Sequence, residues 1–203
     1  MEIDPLQLPG NDDDSASATR DARARRLNSW VAITIALLAT FIAICKVKDD
    51  NIGQAMQQAQ ADKLDHWSFY QARNIRQEVA QATLDELTAT SASQPAAAKA
   101  SLAPVIARYS ALVAEQKVKK DSLRAQAAAD QQRYDALNYR DDQFDLSDAL
   151  TALAISLLAL TSLTQKRWLF GVAMIATILG VIMGTAGLAG WHLHPDALSE
   201  LLS

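Results

Sequence analysis

Three stretches of this 203-residue chain contain no Asp, Glu, Lys or Arg: those between Arg26 and Lys46, between Asp148 and Lys166, and between Arg167 and Asp196. An apolar run of about twenty residues, rising ~1.5 Å per residue, matches the ~30 Å hydrocarbon core of a bilayer. Each window is therefore read as a membrane-spanning helix, at residues 27–45, 146–164 and 168–191. The first is not a cleavable signal, because it is long, follows a 26-residue lead and ends in Cys45-Lys46-Val47-Lys48 without a small-x-small cleavage site. The second reaches spanning length only by drawing in Leu146, Ser147 and Asp148, which puts Asp148 in the first helical turn, where a carboxylate is favoured. The third carries a tryptophan at each end, as interfacial aromatic belts do. Only Gln165, Lys166 and Arg167 and their neighbours lie between the second and third, so these two are expected to form a tight antiparallel pair.

Five of the seven glycines, Gly171, Gly180, Gly184, Gly187 and Gly190, fall in the third window. Gly180 and Gly184 make a GxxxG pair that Gly187 and Gly190 extend. Lipid supplies little hydrophobic force between helices, so a smooth glycine face gains from close backbone approach. Ala32, Ala36, Ala39, Thr40 and Ala43 of the first helix are expected to answer it. The face serves either packing within one chain or contact with another copy, and the motif alone does not choose.

Residues 46–145, between the first and second windows, are rich in Ala, Gln and charge, with thirteen Lys and Arg against fourteen Asp and Glu. That near balance, in a chain of net charge -4, excludes a basic nucleic-acid surface. One strong break interrupts it, Thr90-Ser91-Ala92-Ser93-Gln94-Pro95, so two helical arms with a tip at residues 91–95 are expected. On the second arm Leu102, Ile106, Tyr109, Val113, Gln116, Lys120, Leu123, Ala127, Asp130, Tyr134 and Leu137 alternate steps of four and three, a heptad a/d pattern. On the first, Ile52, Met56, Ala59, Leu64, Trp67, Ile75, Val79, Ala82 and Leu87 line a less regular face. The expected fold is an all-α membrane protein, three transmembrane helices with an extramembrane antiparallel helical hairpin, a coiled coil, between the first and second. The lead, residues 1–26, is acidic then basic and is expected to lack structure to about Thr19. Residues 192–203 are expected to form a short tail on the membrane surface.

No catalytic constellation is present: the chain has no Gly-rich phosphate loop, HExxH, GxSxG or CxxC. The single Cys45 excludes a disulfide framework, and His192 and His194 with Asp196 are too sparse for a metal centre. No charged residue lies deep in a span, which argues against a proton pump or ion-coupled carrier. No catalytic residue, cofactor or metal is expected, and the chain is read as no enzyme. One cluster stands out, Asp65-His66-Trp67-Ser68-Phe69-Tyr70-Gln71-Ala72-Arg73-Asn74-Ile75-Arg76, with three of the twelve aromatics inside four residues. Trp67 and Tyr70 share a helical face and are expected to lock against the other arm near Tyr134 or Leu137, with Arg73 and Arg76 stacking or pairing with acids there. With Phe69 they are also candidates for a partner-docking surface.

A helix opening Ser29-Trp30-Val31-Ala32, then Asp65-x-Trp67-x-Phe69-Tyr70-Gln71-Ala72-Arg73-x-Ile75-Arg76, then Leu163-Thr164-Gln165-Lys166-Arg167-Trp168-Leu169, resembles the bacterial membrane proteins grouped as domain-of-unknown-function family 4337. The resemblance covers about residues 27–190. It implies an integral membrane protein of bacteria with an extramembrane helical hairpin, and it implies no activity. The functional expectation is a non-enzymatic scaffold in the bacterial inner membrane, a homo-oligomer or bound to a membrane protein partner, acting through its rod and glycine face. The alternative is an accessory subunit of a channel or transporter complex. Arg20, Arg23, Arg25, Arg26, Lys166 and Arg167 flank one side of the spans, so the lead is expected in the cytoplasm and the hairpin in the periplasm, although Lys46 and Lys48 pull the other way.

Overall fold

A computed structural model describes residues 11–191, with side chains from Ser17 onward. The tail at residues 192–203, with His192 and His194, lies outside the described residues. Three helices make up almost all of the described residues: α1 (Asn11–Ala92), α2 (Ala96–Thr164) and α3 (Arg167–Ala189). Each contains a stretch long and apolar enough to cross a membrane. The described residues contain no strand.

α1 already includes residues 11–19, which corrects the expectation of an unstructured lead for those residues; residues 1–10 lie outside the described residues. The Ala- and Arg-rich stretch that follows is strongly helix-forming and propagates the apolar helix backwards. Nothing breaks α1 for 82 residues, since it contains no proline and only Gly53. It stops where turn residues cluster. Ser93 N–H donates to Thr90 O at 3.3 Å, Gln94 N–H to Ser91 O at 3.2 Å, and Ser93 Oγ to Thr90 O at 2.9 Å. Pro95 has no N–H to continue α1, and its carbonyl accepts from Lys99 N at 3.0 Å as α2 begins. Between α2 and α3 the chain turns at Gln165, whose φ of 56° is uncommon for a residue with a Cβ. Gly190 ends α3 in the left-handed conformation, φ 69°, its N–H bonding Ala186 O. It is therefore a helix cap with open space around it, and does not continue the packing face as expected.

The chain divides into two compact units, one combining the stretch up to Asn51 with that from Tyr139, the other Ile52–Asn138. In the first, Val31 and Leu38 of α1, Ala154 and Leu158 of α2, and Ala173 and Ala176 of α3 form the core. Close approach of α3 is visible at its glycines. A Cβ on Gly180 would lie 2.7 Å from Thr151 Cγ2, on Gly184 2.6 Å from Ser147 Oγ and 2.7 Å from Phe41 Cζ, and on Gly187 2.9 Å from Phe144 Cζ. Ser147 Oγ donates to Gly180 O at 2.8 Å, a polar tie between helices of the kind apolar surroundings favour. α1 meets this arrangement with Val31, Leu38 and Cys45, which are buried, whereas Ala32, Ala36, Ala39, Thr40 and Ala43 are exposed. The expected alanine face of α1 is thus turned outward. The small residues on α3 leave room that α1 fills with large side chains. Much of the remaining surface is apolar, with Leu37, Leu163 and Ile175 at 68%, 82% and 61% exposure.

Candidate functional site

In the unit Ile52–Asn138, α1 meets α2 through a largely polar seam. Lys63 Nζ donates to Gln131 Oε1, and His66 Nδ1 lies 2.6 Å from Asp130 Oδ2. Arg73 Nη1 donates to Gln116 Oε1 at 3.0 Å, and Lys120 Nζ to Asn74 Oδ1 at 3.1 Å. All the expected heptad positions of α2 are shielded, Gln116 and Ala127 fully, while off-pattern Val118 is exposed. On α1 the expected face splits. Ile52, Met56 and Ala59 are buried, but Leu64, Ile75 and Val79 are 60%, 63% and 62% exposed. Polar side chains hold the positions those residues were expected to fill.

Trp67 and Tyr70 pack on each other edge to face, ring centroids 5.2 Å apart at 81°, as their i,i+3 spacing allows. Phe69 projects into solvent. Arg73 hydrogen-bonds an amide, and its charge also helps lower the Glu115 carboxyl of α2, after Lys119, while Arg76 is exposed with no bonding partner among the described residues. Of the cluster, His66, Arg73 and Asn74 hold the seam, while Phe69, Ile75 and Arg76 are presented outward.

A second site lies in the other unit, where α1 and α2 leave their apolar stretches. Asp141, Asp145 and Asp148 are spaced four and three apart on α2, and Asp49 of α1 interacts with this row. Lys46 Nζ bonds Asp49 Oδ2 at 2.8 Å and is itself held more basic by that carboxylate. Burial, then the neighbouring charges of Asp145 and Asp49, push Asp141 up to about 6. Asp145 is pushed the same way by partial desolvation and by Asp49. Asp49 Oδ1 is shut away from solvent without a hydrogen-bond partner, and a hydrogen bond to Asp49 adds to the causes that raise Asp141. A cavity of about 20 Å³, lined in part by Cys45, Lys46, Asp49, Ser147 and Asp148, is large enough for one water. The sequence reading missed this site, although extending the α2 heptad from Leu137 by one step reaches Asp141.

No group of His, Cys, Asp and Glu among the described residues is arranged to hold a metal ion, and Cys45 is buried. The fold and its sites define an all-helical protein, three of whose helices can cross a membrane, with polar clusters outside the apolar stretches. The chain belongs to the family of the domain of unknown function DUF4337, whose profile matches residues 27–190. No curated protein and no solved structure matches it.

Proposed function

We propose that this is a non-enzymatic scaffold of the bacterial inner membrane, anchored by three spans and projecting an antiparallel helical hairpin that binds protein partners. The observation that carries this reading is the exposure of Leu64, Ile75 and Val79 on α1 beside a polar seam. Residues 64 and 75 are about three turns apart and 79 one further, so they form one stripe, and a folded rod with no partner gains nothing by presenting it to water. A photo-crosslinking side chain at position 75 of the full chain, in intact membranes, tests it. A stoichiometric adduct, with a second copy or with another protein, is expected; labelling no stronger than from position 117 defeats the docking role. The exposed apolar side of α3, with Val172, Ile175, Ile178 and Ile182, supports the second reading of an accessory subunit packed on a larger membrane protein. An adduct that maps to a transport protein favours that reading.

The arginines ahead of the first span and in the Lys166–Arg167 turn favour a cytoplasmic lead and a periplasmic hairpin. A cysteine at Ser93 in a Cys45→Ala background should react with a membrane-impermeant maleimide in outer-membrane-permeabilised cells. Labelling there only after lysis, with a cysteine at Ser17 labelled before it, inverts the topology.

A further inference from the structure

At the arginine-flanked end of the membrane unit, Arg20, Arg23, Ala24 and Leu27 of α1 face Gln165 and Arg167 of the α2–α3 turn across an open groove of about 310 Å³. That volume is at the lower end of the range for small-molecule sites, ~300–1,000 Å³. The groove is held by hydrogen bonds between its two walls. Gln165 Nε2 donates to Asn28 Oδ1 at 2.9 Å, and Ser162 Oγ donates to the same oxygen at 3.3 Å. The turn is thus pinned to α1 one helical turn beyond Arg23 and Ala24. None of Arg20, Arg23 and Arg167 has an ion-pair partner among the described residues. Three arginines, with five N–H donors each, line a space to which no carboxylate of the described residues contributes. The adjoining α3 begins at Arg167, a groove residue, behind Lys166, which makes no side-chain cap, although Leu169 N–H is already bonded to Lys166 O at 3.2 Å.

We propose that this groove binds a phosphate group, supplied by the headgroup of an anionic phospholipid. Guanidinium forks match phosphate oxygens in a bidentate way that a lysine ammonium does not. Leu27 and Trp168, where the apolar stretches of α1 and α3 begin, lie beside the groove residues in the chain, so a lipid whose phosphate sits there has its acyl chains along the exposed apolar surface. The lipid source rests on the membrane reading given above; the phosphate chemistry does not.

Native mass spectrometry of the full chain in detergent tests the site with three probes: phosphatidylglycerol, phosphatidylcholine and inorganic phosphate. The wild type should retain phosphatidylglycerol in preference to phosphatidylcholine. Replacing all three arginines (R20Q/R23Q/R167Q) should weaken this by about a hundredfold, each cation at an anionic surface contributing roughly a factor of five. The variant K117Q/R124Q/R133Q, which removes three exposed charges from the other unit, should leave it unchanged. Single variants R23Q and R167Q, each expected to lose about fivefold, guard against a triple variant that misfolds. Arginine-dependent binding of inorganic phosphate without lipid retention keeps the phosphate site and makes its source a soluble phosphate compound. Retention that is indifferent to the three arginines, or equally reduced by the control triple, overturns the proposal. Alkaline carbonate washing of membranes reports separately on the membrane reading: a chain released by the wash fails as a membrane protein, whatever its phosphate binding.

Discussion

Replacing Gly184 with alanine should destabilise the unit that holds the three apolar stretches, and replacing Gly171 should not. A methyl group at Gly184 would sit 2.6 Å from Ser147 Oγ of α2 and 2.7 and 2.8 Å from two ring atoms of Phe41 on α1. Both neighbours belong to other helices, so the added methyl must displace the Phe41 ring and Ser147 Oγ, which is itself bonded to Gly180 O. Overpacking of this kind costs ~1–3 kcal/mol, and alanine returns at most ~1 kcal/mol through helix propensity. The net loss is therefore centred on ~1 kcal/mol, or ~2–4 °C in melting temperature for a chain of this size. At Gly171 nothing lies within 4 Å of the added methyl, so only the propensity gain remains and the melting temperature should hold or rise by ~2–4 °C. Circular dichroism melts in detergent, repeated over a range of protein concentrations, measure both. Because the clash lies within one chain, the loss at Gly184 should not depend on concentration. A Gly184→Ala variant as stable as the wild type, or one whose deficit vanishes at high concentration, would refute packing of the glycine face inside the chain.

Asp141 should make stability fall with rising pH. Its folded value is raised, so its contribution is fully present below the ordinary carboxylate range and is lost as pH climbs through about 6. For a half-buried group, discounted for solvent screening, the loss is ~1 kcal/mol, and Asp141→Asn should reduce the slope in melts at about pH 5 and pH 7, the remainder coming from Asp145. In the unit Ile52–Asn138, Leu123→Asp puts a charge at a partly buried position and should cost ~2 kcal/mol in denaturant unfolding of the full chain, against ~0.5 kcal/mol or less for Lys119→Ala on the exposed side. Equal effects would mean that the α2 heptad does not face α1. His66→Ala and Asp130→Ala should show a coupling of ~1 kcal/mol or more in a double-mutant cycle, and strict additivity would mean that the 2.6 Å contact carries no stability.

How much of this fold is legible without coordinates depends on whether one pattern or two fit a helix. On α2 a single run of fours and threes passes through Leu102, Leu123 and Leu137, and its polar members Gln116, Lys120 and Asp130 turn out to bond across the seam. On α1 two stripes with helical spacing compete. Hydrophobicity favours the one through Leu64, Ile75 and Val79, whereas the seam uses the one through His66, Arg73 and Asn74. A residue scale that ranks apolar side chains as buried picks the wrong stripe, because the partner positions on α2 are themselves donors and acceptors. Those groups lose less by bonding one another than by being covered with hydrocarbon. The same limitation hid the carboxylates at Asp49, Asp141 and Asp145: nothing in a local window marks residues 49 and 141 as neighbours, since they meet only through the pairing of α1 with α2. The glycine face was legible for a different reason. Gly180, Gly184 and Gly187 leave a groove whatever the partner, and only the identities of the side chains filling it, Phe41, Phe144, Ser147 and Thr151, required the fold. The stripe left exposed on α1 is then the residue of this competition: a helix with two usable faces has turned the polar one inward and left the apolar one outward.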